Sequence, residues 1–63
     1  MVKAENFHPM RGHVESGQKV LFANGKILEI RDGSSGWNLW EGDVFVSGGF
    51  DAYGLTSFIV KHS

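Results

Sequence analysis

A segment in the first half of the chain, residues 18–31 (QKVLFANGKILEIR), constrains the fold more than any other. It contains two short apolar runs separated by Asn24-Gly25, a residue pair typical of a two-residue loop between antiparallel strands. Both central positions of such a loop need a positive φ, which asparagine tolerates and glycine adopts freely. The segment therefore predicts a β-hairpin with strands Gln18–Ala23 and Lys26–Arg31.

The length of the loop also determines which residues of the two strands face each other. With two residues in the loop, the predicted cross-strand pairs are Ala23–Lys26, Phe22–Ile27, Leu21–Leu28 and Val20–Glu29. Because side chains alternate along a strand, this register predicts two groups on opposite faces: Val20, Phe22 and Ile27 on one, and Leu21, Ala23, Leu28 and Ile30 on the other.

The remainder of the chain predicts further strands and no helix. Turn-forming residues at 32–36, 42–43 and 48–54 separate apolar runs that predict strands at Trp37–Glu41, Val44–Ser47 and Leu55–Lys61,. A Gly42-Asp43 loop then pairs Trp40 with Phe45, Leu39 with Val46 and Asn38 with Ser47. Strands spaced by about ten residues are typical of small all-β folds. We therefore expect an antiparallel five-stranded meander that curls into an SH3-like or OB-like barrel.

The 63 residues are expected to form one domain, in which residues 1–17 show neither a helical nor a strand period,. Pro9 restricts the residue before it to extended conformations, so no helix is predicted there. A short edge strand at residues 13–15 and a partly ordered N-terminal arm are both open alternatives.

Composition limits the sources of stability and the classes of partner. The chain has no cysteine, which excludes disulfides and thiolate metal sites. A domain of this size must then rely on aromatic packing or self-association for its stability. A formal charge of −1 argues against a protein held to nucleic acid mainly by phosphate contacts,. No apolar run approaches the roughly 20 residues of a membrane span, and we expect a cytoplasmic protein without a membrane partner.

The predicted strands carry more apolar side chains than one sheet face can bury. Strand alternation places Trp40 and Phe45 on the face opposite that of Leu39. Three explanations are open for this second apolar face. It is covered from within the chain, it is a subunit interface, or it is a docking surface for another macromolecule. The residues available for cover within the chain are Phe7, Met10, Phe50 and Tyr53.

From this second face we expect a non-enzymatic interaction module, such as the small regulators and inhibitors that phages and plasmids encode. It binds a protein partner of unknown identity and self-associates into a homo-oligomer. The expected partner-binding residues are Trp40, Phe45, Phe50 and Tyr53. One alternative is a single-stranded nucleic-acid-binding barrel that uses Lys19, Lys26, Arg31, Trp40 and Phe45. Another is a self-associating structural subunit of a larger assembly.

The sequence predicts no enzyme, cofactor or metal site. The histidines, His8, His13 and His62, do not have the spacing of a closed zinc site,. Acidic residues lie at or near predicted turns, and so small a fold leaves little room for a desolvated pocket between them. No serine or threonine stands in a nucleophile motif.

Overall fold

The computed structural model describes residues 1–7 and 14–63, and within them it has a five-stranded mixed sheet with one short α-helix. The strands follow the sheet in chain order: β1 (Val2–Lys3), β2 (Lys19–Leu21), β3 (Ile27–Gly33), β4 (Gly36–Glu41) and β5 (Val44–Phe50). A 3-10 turn at Ala4–Asn6 follows β1, and the helix α1 (Ala52–Lys61) follows β5. β1 is parallel to β2, and the other neighbours are antiparallel.

The expected mostly-β fold and the antiparallel meander from β2 to β5 are confirmed. Closure into an SH3-like or OB-like barrel is not confirmed, because β1 and β5 are the two edges of the described sheet and do not pair with each other. In the described part of the chain, no helix is long and apolar enough to cross a membrane.

The C-terminal segment forms α1, so the predicted strand Leu55–Lys61 is wrong. Asp51 caps the helix: its Oδ1 accepts a hydrogen bond of 2.6 Å from the backbone N–H of Gly54,. Leu55 and Ile59, four residues apart, lie on one side of the helix and are fully buried,. The helix therefore forms because a cap and an apolar stripe coincide, although the segment also contains the β-branched residues that favour strands.

The loop between β2 and β3 has three residues instead of two. The backbone N–H of Phe22 donates to the carbonyl of Lys26 (2.8 Å), and the N–H of Gly25 donates to the carbonyl of Phe22 (2.9 Å). Gly25 has a φ of 86°, as expected for a type I turn followed by a glycine bulge,. The predicted register is therefore wrong by one residue, and the observed pairs are Val20–Leu28, Leu21–Ile27 and Lys19–Glu29.

The hairpin between β4 and β5 has the predicted two-residue loop, and the predicted pair Trp40–Phe45 is confirmed. After Phe45 the register of β5 shifts twice, first between Phe45 and Ser47 and again between Ser47 and Phe50,. The pairs predicted beyond this point, Leu39–Val46 and Asn38–Ser47, are wrong, and the observed ones are Leu39–Ser47 and Trp37–Phe50. β5 also continues past its predicted end as far as Phe50.

The N-terminal segment joins the sheet through β1, where Val2 pairs with Val20. Neither of the two alternatives for this segment, an edge strand at residues 13–15 or a partly ordered arm, included a strand at this position. Of those three residues, Val14 is buried and Glu15 is exposed, both outside any strand, and His13 lies outside the described residues. Ala4 and Phe7, which follow β1 in the chain, are buried in the hydrophobic core.

One hydrophobic core lies between the sheet and α1, and its buried members are Ala4, Phe7, Val14, Val20, Phe22, Leu28, Ile30, Leu39, Leu55 and Ile59. We call the side of the sheet that α1 covers the core face and the opposite side the outer face. Because strand residues alternate, the neighbours of the buried strand residues point to the outer face. The first-hairpin residues on the core face are thus Val20, Leu28 and Ile30.

Candidate interaction surface on the outer face

Four side chains form a continuous row across the outer face. Lys19 of β2 pairs with Glu29 of β3, which pairs with Trp40 of β4, which in turn pairs with Phe45 of β5. Directly paired residues of neighbouring strands present their side chains on the same face at close range. The row therefore places a cation, an anion and two aromatic rings side by side across four strands. We call it the cross-strand row.

Its aromatic members form an edge-to-face pair. The ring centroids of Trp40 and Phe45 are 5.5 Å apart and the ring planes are inclined by 81°, which sets the positive edge of one ring against the negative face of the other,. Trp40 is half-buried, whereas Phe45 is 52% exposed. The pair therefore presents the Phe45 ring to solvent and uses Trp40 as its support.

Arg31 lies beside the cross-strand row and extends over the Trp40 ring. Its guanidinium carbon is 4.7 Å from the ring centroid, within the range of a cation–π interaction,. Its Nε and Nη2 each lie 2.8 Å from Oε1 of Glu29, and Nη2 also donates to the carbonyl of Gly42 at 3.3 Å. These contacts hold the guanidinium group beside the aromatic pair. We call the cross-strand row together with Arg31 the outer-face patch.

Asn38, the cross-strand partner of Arg31, fills the space above two glycines. A Cβ atom at Gly33 or at Gly48 would collide with the Asn38 side chain. Its Oδ1 accepts a hydrogen bond of 3.4 Å from the backbone N–H of Gly49. The glycines of β3 and β5 therefore allow this polar side chain to lie close against the sheet at the border of the outer-face patch.

The Trp40 indole is contacted through its ring, by Phe45 and by the Arg31 guanidinium group. Its Nε1 atom is buried and has no hydrogen-bond partner among the described residues. Leaving a buried donor unpaired typically costs about 1–3 kcal/mol. The contacts with Phe45 and Arg31, together with the burial of the ring, must offset this cost for the indole to keep its position.

The structure divides the expected partner-binding residues between the two faces. Trp40 and Phe45 come together, but Phe50 packs against the core, with its ring centroid 5.2 Å from that of Phe58 in α1. Tyr53 lies in the first turn of α1 and is 79% exposed. Because α1 covers the core face, Phe50 and Tyr53 do not extend the outer-face patch.

The positions of these residues also show whether the chain itself covers the second apolar face, which is the outer face. Phe7 is fully buried in the core, Phe50 packs against the core, and Tyr53 is exposed on the helix. None of these three residues covers Trp40 and Phe45, and Met10 lies outside the described residues. In the described part of the chain, the outer-face patch is therefore open to solvent at Phe45.

Two of the three basic residues of the nucleic-acid alternative are in contact with acidic ones. Arg31 is bound to Glu29, and Nζ of Lys26 lies 4.0 Å from Oε1 of Glu41. Lys19 pairs across the strands with Glu29. Glu29 is thus the central charge of the surface, although it was not expected as a site residue. A three-residue loop in the first hairpin would have placed it opposite Lys19 from sequence alone.

Metal-ligating side chains are not gathered near this surface in the described part of the chain. Among residues 1–7 and 14–63, no three His, Asp or Glu side chains are placed to hold a metal ion. The Nδ1 atom of His62 lies 2.8 Å from the carbonyl oxygen of Phe58 at the end of α1. His8 and His13 lie outside the described residues.

Comparison with known proteins gives no relative from which a function could be transferred. No protein-family model matches the chain, and neither a curated protein nor a solved structure matches it significantly. A function must therefore be argued from the geometry of the outer face.

Proposed function

We propose that the chain is a non-enzymatic interaction module that binds a protein partner through the outer-face patch. The cross-strand row is the observation that carries this proposal, because it presents a half-exposed Phe45 on a Trp40 support with Arg31 beside them. Tryptophan, tyrosine and arginine are enriched among the residues that dominate binding energy at protein interfaces, and the core of such interfaces is rich in aromatic residues. A partner that covers Phe45 would bury its exposed half and the adjoining Trp40 ring.

The side chains of the patch are arranged before any partner arrives. Arg31 is fixed by hydrogen bonds to Glu29 and Gly42, and Trp40 is fixed between Arg31 and Phe45. Ordering a flexible side chain on binding costs about 0.5–1.5 kcal/mol. Because part of this ordering has already occurred in the free protein, the patch is suited to bind a partner with a small entropic loss.

Charge favours a protein partner over single-stranded nucleic acid. The patch has two basic residues, Lys19 and Arg31, but Glu29 lies between them and binds the Arg31 guanidinium directly. The whole chain has a formal charge of −1. Binding to a phosphate backbone relies on unpaired cations that release counterions, and this face offers few of them.

Single-stranded nucleic acid remains the second candidate because of one observation. An arginine stacked beside two aromatic rings on an open sheet face is also a platform on which bases can stack,. We further propose a cytoplasmic location, which is supported by the absence of cysteine,.

Affinity capture with matched aromatic variants tests the protein-binding proposal. The immobilised wild-type chain, Phe45→Ala and Tyr53→Ala are incubated with native lysate, and the retained proteins are compared by quantitative mass spectrometry. Tyr53 is a suitable control because it is an exposed aromatic residue on the helix side. We expect a partner that wild type and Tyr53→Ala retain, and that Phe45→Ala retains at least about tenfold less.

Two outcomes would contradict the proposal. Equal retention of every protein by Phe45→Ala and Tyr53→Ala would show that the outer-face patch is not the binding surface. Titration of labelled oligonucleotides over a salt series addresses the second candidate, because binding to nucleic acid weakens linearly with the logarithm of salt concentration. Such binding, lost in Phe45→Ala and kept in Tyr53→Ala, would assign the patch to nucleic acid instead.

A further inference from the structure

The β5 strand is one of the two edges of the described sheet, and its regular part ends at Phe45, where the register of the strand shifts,. In the described part of the chain it pairs with β4 alone, and its sequence, VFVSGGF, has no charged residue and no proline. Natural edge strands usually carry such residues because a bare edge pairs readily with another strand. The first three residues are also exposed: Val44 by 64%, Phe45 by 52% and Val46 by 40%.

The β4–β5 hairpin directs the backbone of Phe45 to this free edge. Residues that flank a two-residue loop form a hydrogen-bonded pair, and the next pair along the hairpin is not hydrogen-bonded. Here the flanking pair is Glu41–Val44 and the next pair is Trp40–Phe45. The N–H and C=O of Phe45 therefore point away from β4, where they are available to a further strand.

The exposed triplet Val44-Phe45-Val46 is complementary to itself. It reads the same in both directions, so an antiparallel pair of copies with a two-fold axis at Phe45 places phenylalanine opposite phenylalanine and valine opposite valine,. Aromatic and β-branched residues are favourable cross-strand partners. This symmetry favours a second copy of the chain over an unrelated strand.

The bulge after Phe45 favours the register centred on this residue. Leu39, the neighbour of Trp40, pairs with Ser47, so the backbone groups of Ser47 point towards β4,. A further strand can therefore be hydrogen-bonded at Phe45 but not at Ser47.

We propose that two copies of the chain associate through their β5 edges, antiparallel and centred on Phe45, into one continuous sheet. The two-fold axis of such a pair is perpendicular to the sheet, so both outer faces lie on the same side. The two cross-strand rows then join, with the Phe45 rings adjacent at the centre and a Trp40 on each side. The association needs no other protein and stands independently of the proposed function.

Sedimentation velocity from micromolar to millimolar concentration tests the association, with two double variants that leave Phe45 unchanged. Val44→Lys/Val46→Lys places lysine opposite lysine at both ends of the triplet, so we expect association at least about tenfold weaker than in wild type. Val44→Lys/Val46→Glu places lysine opposite glutamate in the same positions. We expect it to associate at least about tenfold more tightly than the all-lysine variant.

Amide hydrogen exchange tests the association on the wild-type chain itself, so the result does not depend on whether a variant folds. We expect exchange at Phe45 to slow as concentration rises, because its N–H becomes hydrogen-bonded in the dimer, while exchange in β1, at the opposite edge, stays unchanged. A wild-type chain that is monomeric at millimolar concentration would overturn the proposal. Equal association of the two double variants would overturn it too, as would Phe45 exchange that is independent of concentration.

Discussion

The guanidinium group of Arg31 lies over the indole ring of Trp40, with its central carbon 4.7 Å from the ring centroid. Trp40 pairs directly with Glu29, so Arg31, two residues further along β3, reaches diagonally between the strands to meet it. Glu29 holds the arginine in this position through Oε1. A single carboxylate thus controls how the cation and the aromatic ring are presented on the outer face.

Glu29→Gln should release Arg31 from Trp40 without unfolding the chain. Both side chains of the ion pair are partly exposed, so we expect the free energy of unfolding to fall by less than about 1 kcal/mol,. The side-chain proton signals of Arg31, shifted upfield in wild type by the Trp40 ring, should move towards their values in an unstructured peptide. Nuclear magnetic resonance checks this, with Glu41→Gln as the control, since it breaks only the 4.0 Å contact with Lys26. Unchanged Arg31 signals in Glu29→Gln would contradict the positioning role.

Leu39→Ala should destabilise the chain more than Trp40→Ala does. Leu39 is fully buried in the core, and such truncations typically cost about 2–5 kcal/mol,. Trp40 is half-buried on the outer face, and its removal also eliminates an unpaired buried donor,. Urea unfolding monitored by circular dichroism measures both values. If Trp40→Ala unfolds the chain and Leu39→Ala does not, the assignment of the two faces is wrong.

Gly48→Ala should destabilise the chain because its new Cβ would collide with Asn38. Overpacking of this kind typically costs about 1–3 kcal/mol. Asn38→Ala removes the obstructing amide, so the double variant should lose less stability than the two single variants together. A double-mutant cycle of unfolding free energies measures the difference, which we expect to exceed about 0.5 kcal/mol. Strict additivity would show that Asn38 does not lie above Gly48.

Asp51→Ala should lower stability by about 1 kcal/mol, because it removes the cap of α1,. Asp43→Ala is the matched control: it makes the same chemical change at the exposed β4–β5 loop, where we expect less than about 0.5 kcal/mol,. Asp51→Asn retains a capping oxygen and should restore most of the loss. Chemical denaturation compares the three variants. Equal effects of Asp51→Ala and Asp43→Ala would mean that the cap contributes nothing.

Local turn chemistry was sufficient to predict the hairpins but not their register. Asn24-Gly25 marked the first turn correctly, yet the same pair suits both a two-residue loop and a three-residue loop that ends in a glycine bulge. The choice between them depends on which valines and leucines reach the core, and this is a property of the whole fold. The pair Trp40–Phe45 was predictable because it lies next to the second turn, before the bulge of β5 shifts the register.

Tertiary contacts determine the two elements that the sequence pattern did not predict, α1 and β1. The residues of α1 include several that favour strands, and the helix is stabilised by the burial of Leu55 and Ile59 against the sheet,. The parallel pairing of β1 with β2 joins residues far apart in the sequence, for which no turn provides a signal,. Phe50 lies five residues after Phe45 in β5, and this odd spacing places the two side chains on opposite faces of the sheet,. The sequence predicts a loop at residues 48–54, so strand alternation gave no indication of where Phe50 points.

The packing of residues 4–7 and α1 on the same side of the sheet has a consequence for biosynthesis. Ala4 and Phe7 are synthesised well before Leu55 and Ile59, with which they share the core. Contacts between residues so far apart in the sequence slow folding, because a long loop must close before they form. During synthesis, the core face of the sheet therefore stays uncovered until α1 has been made.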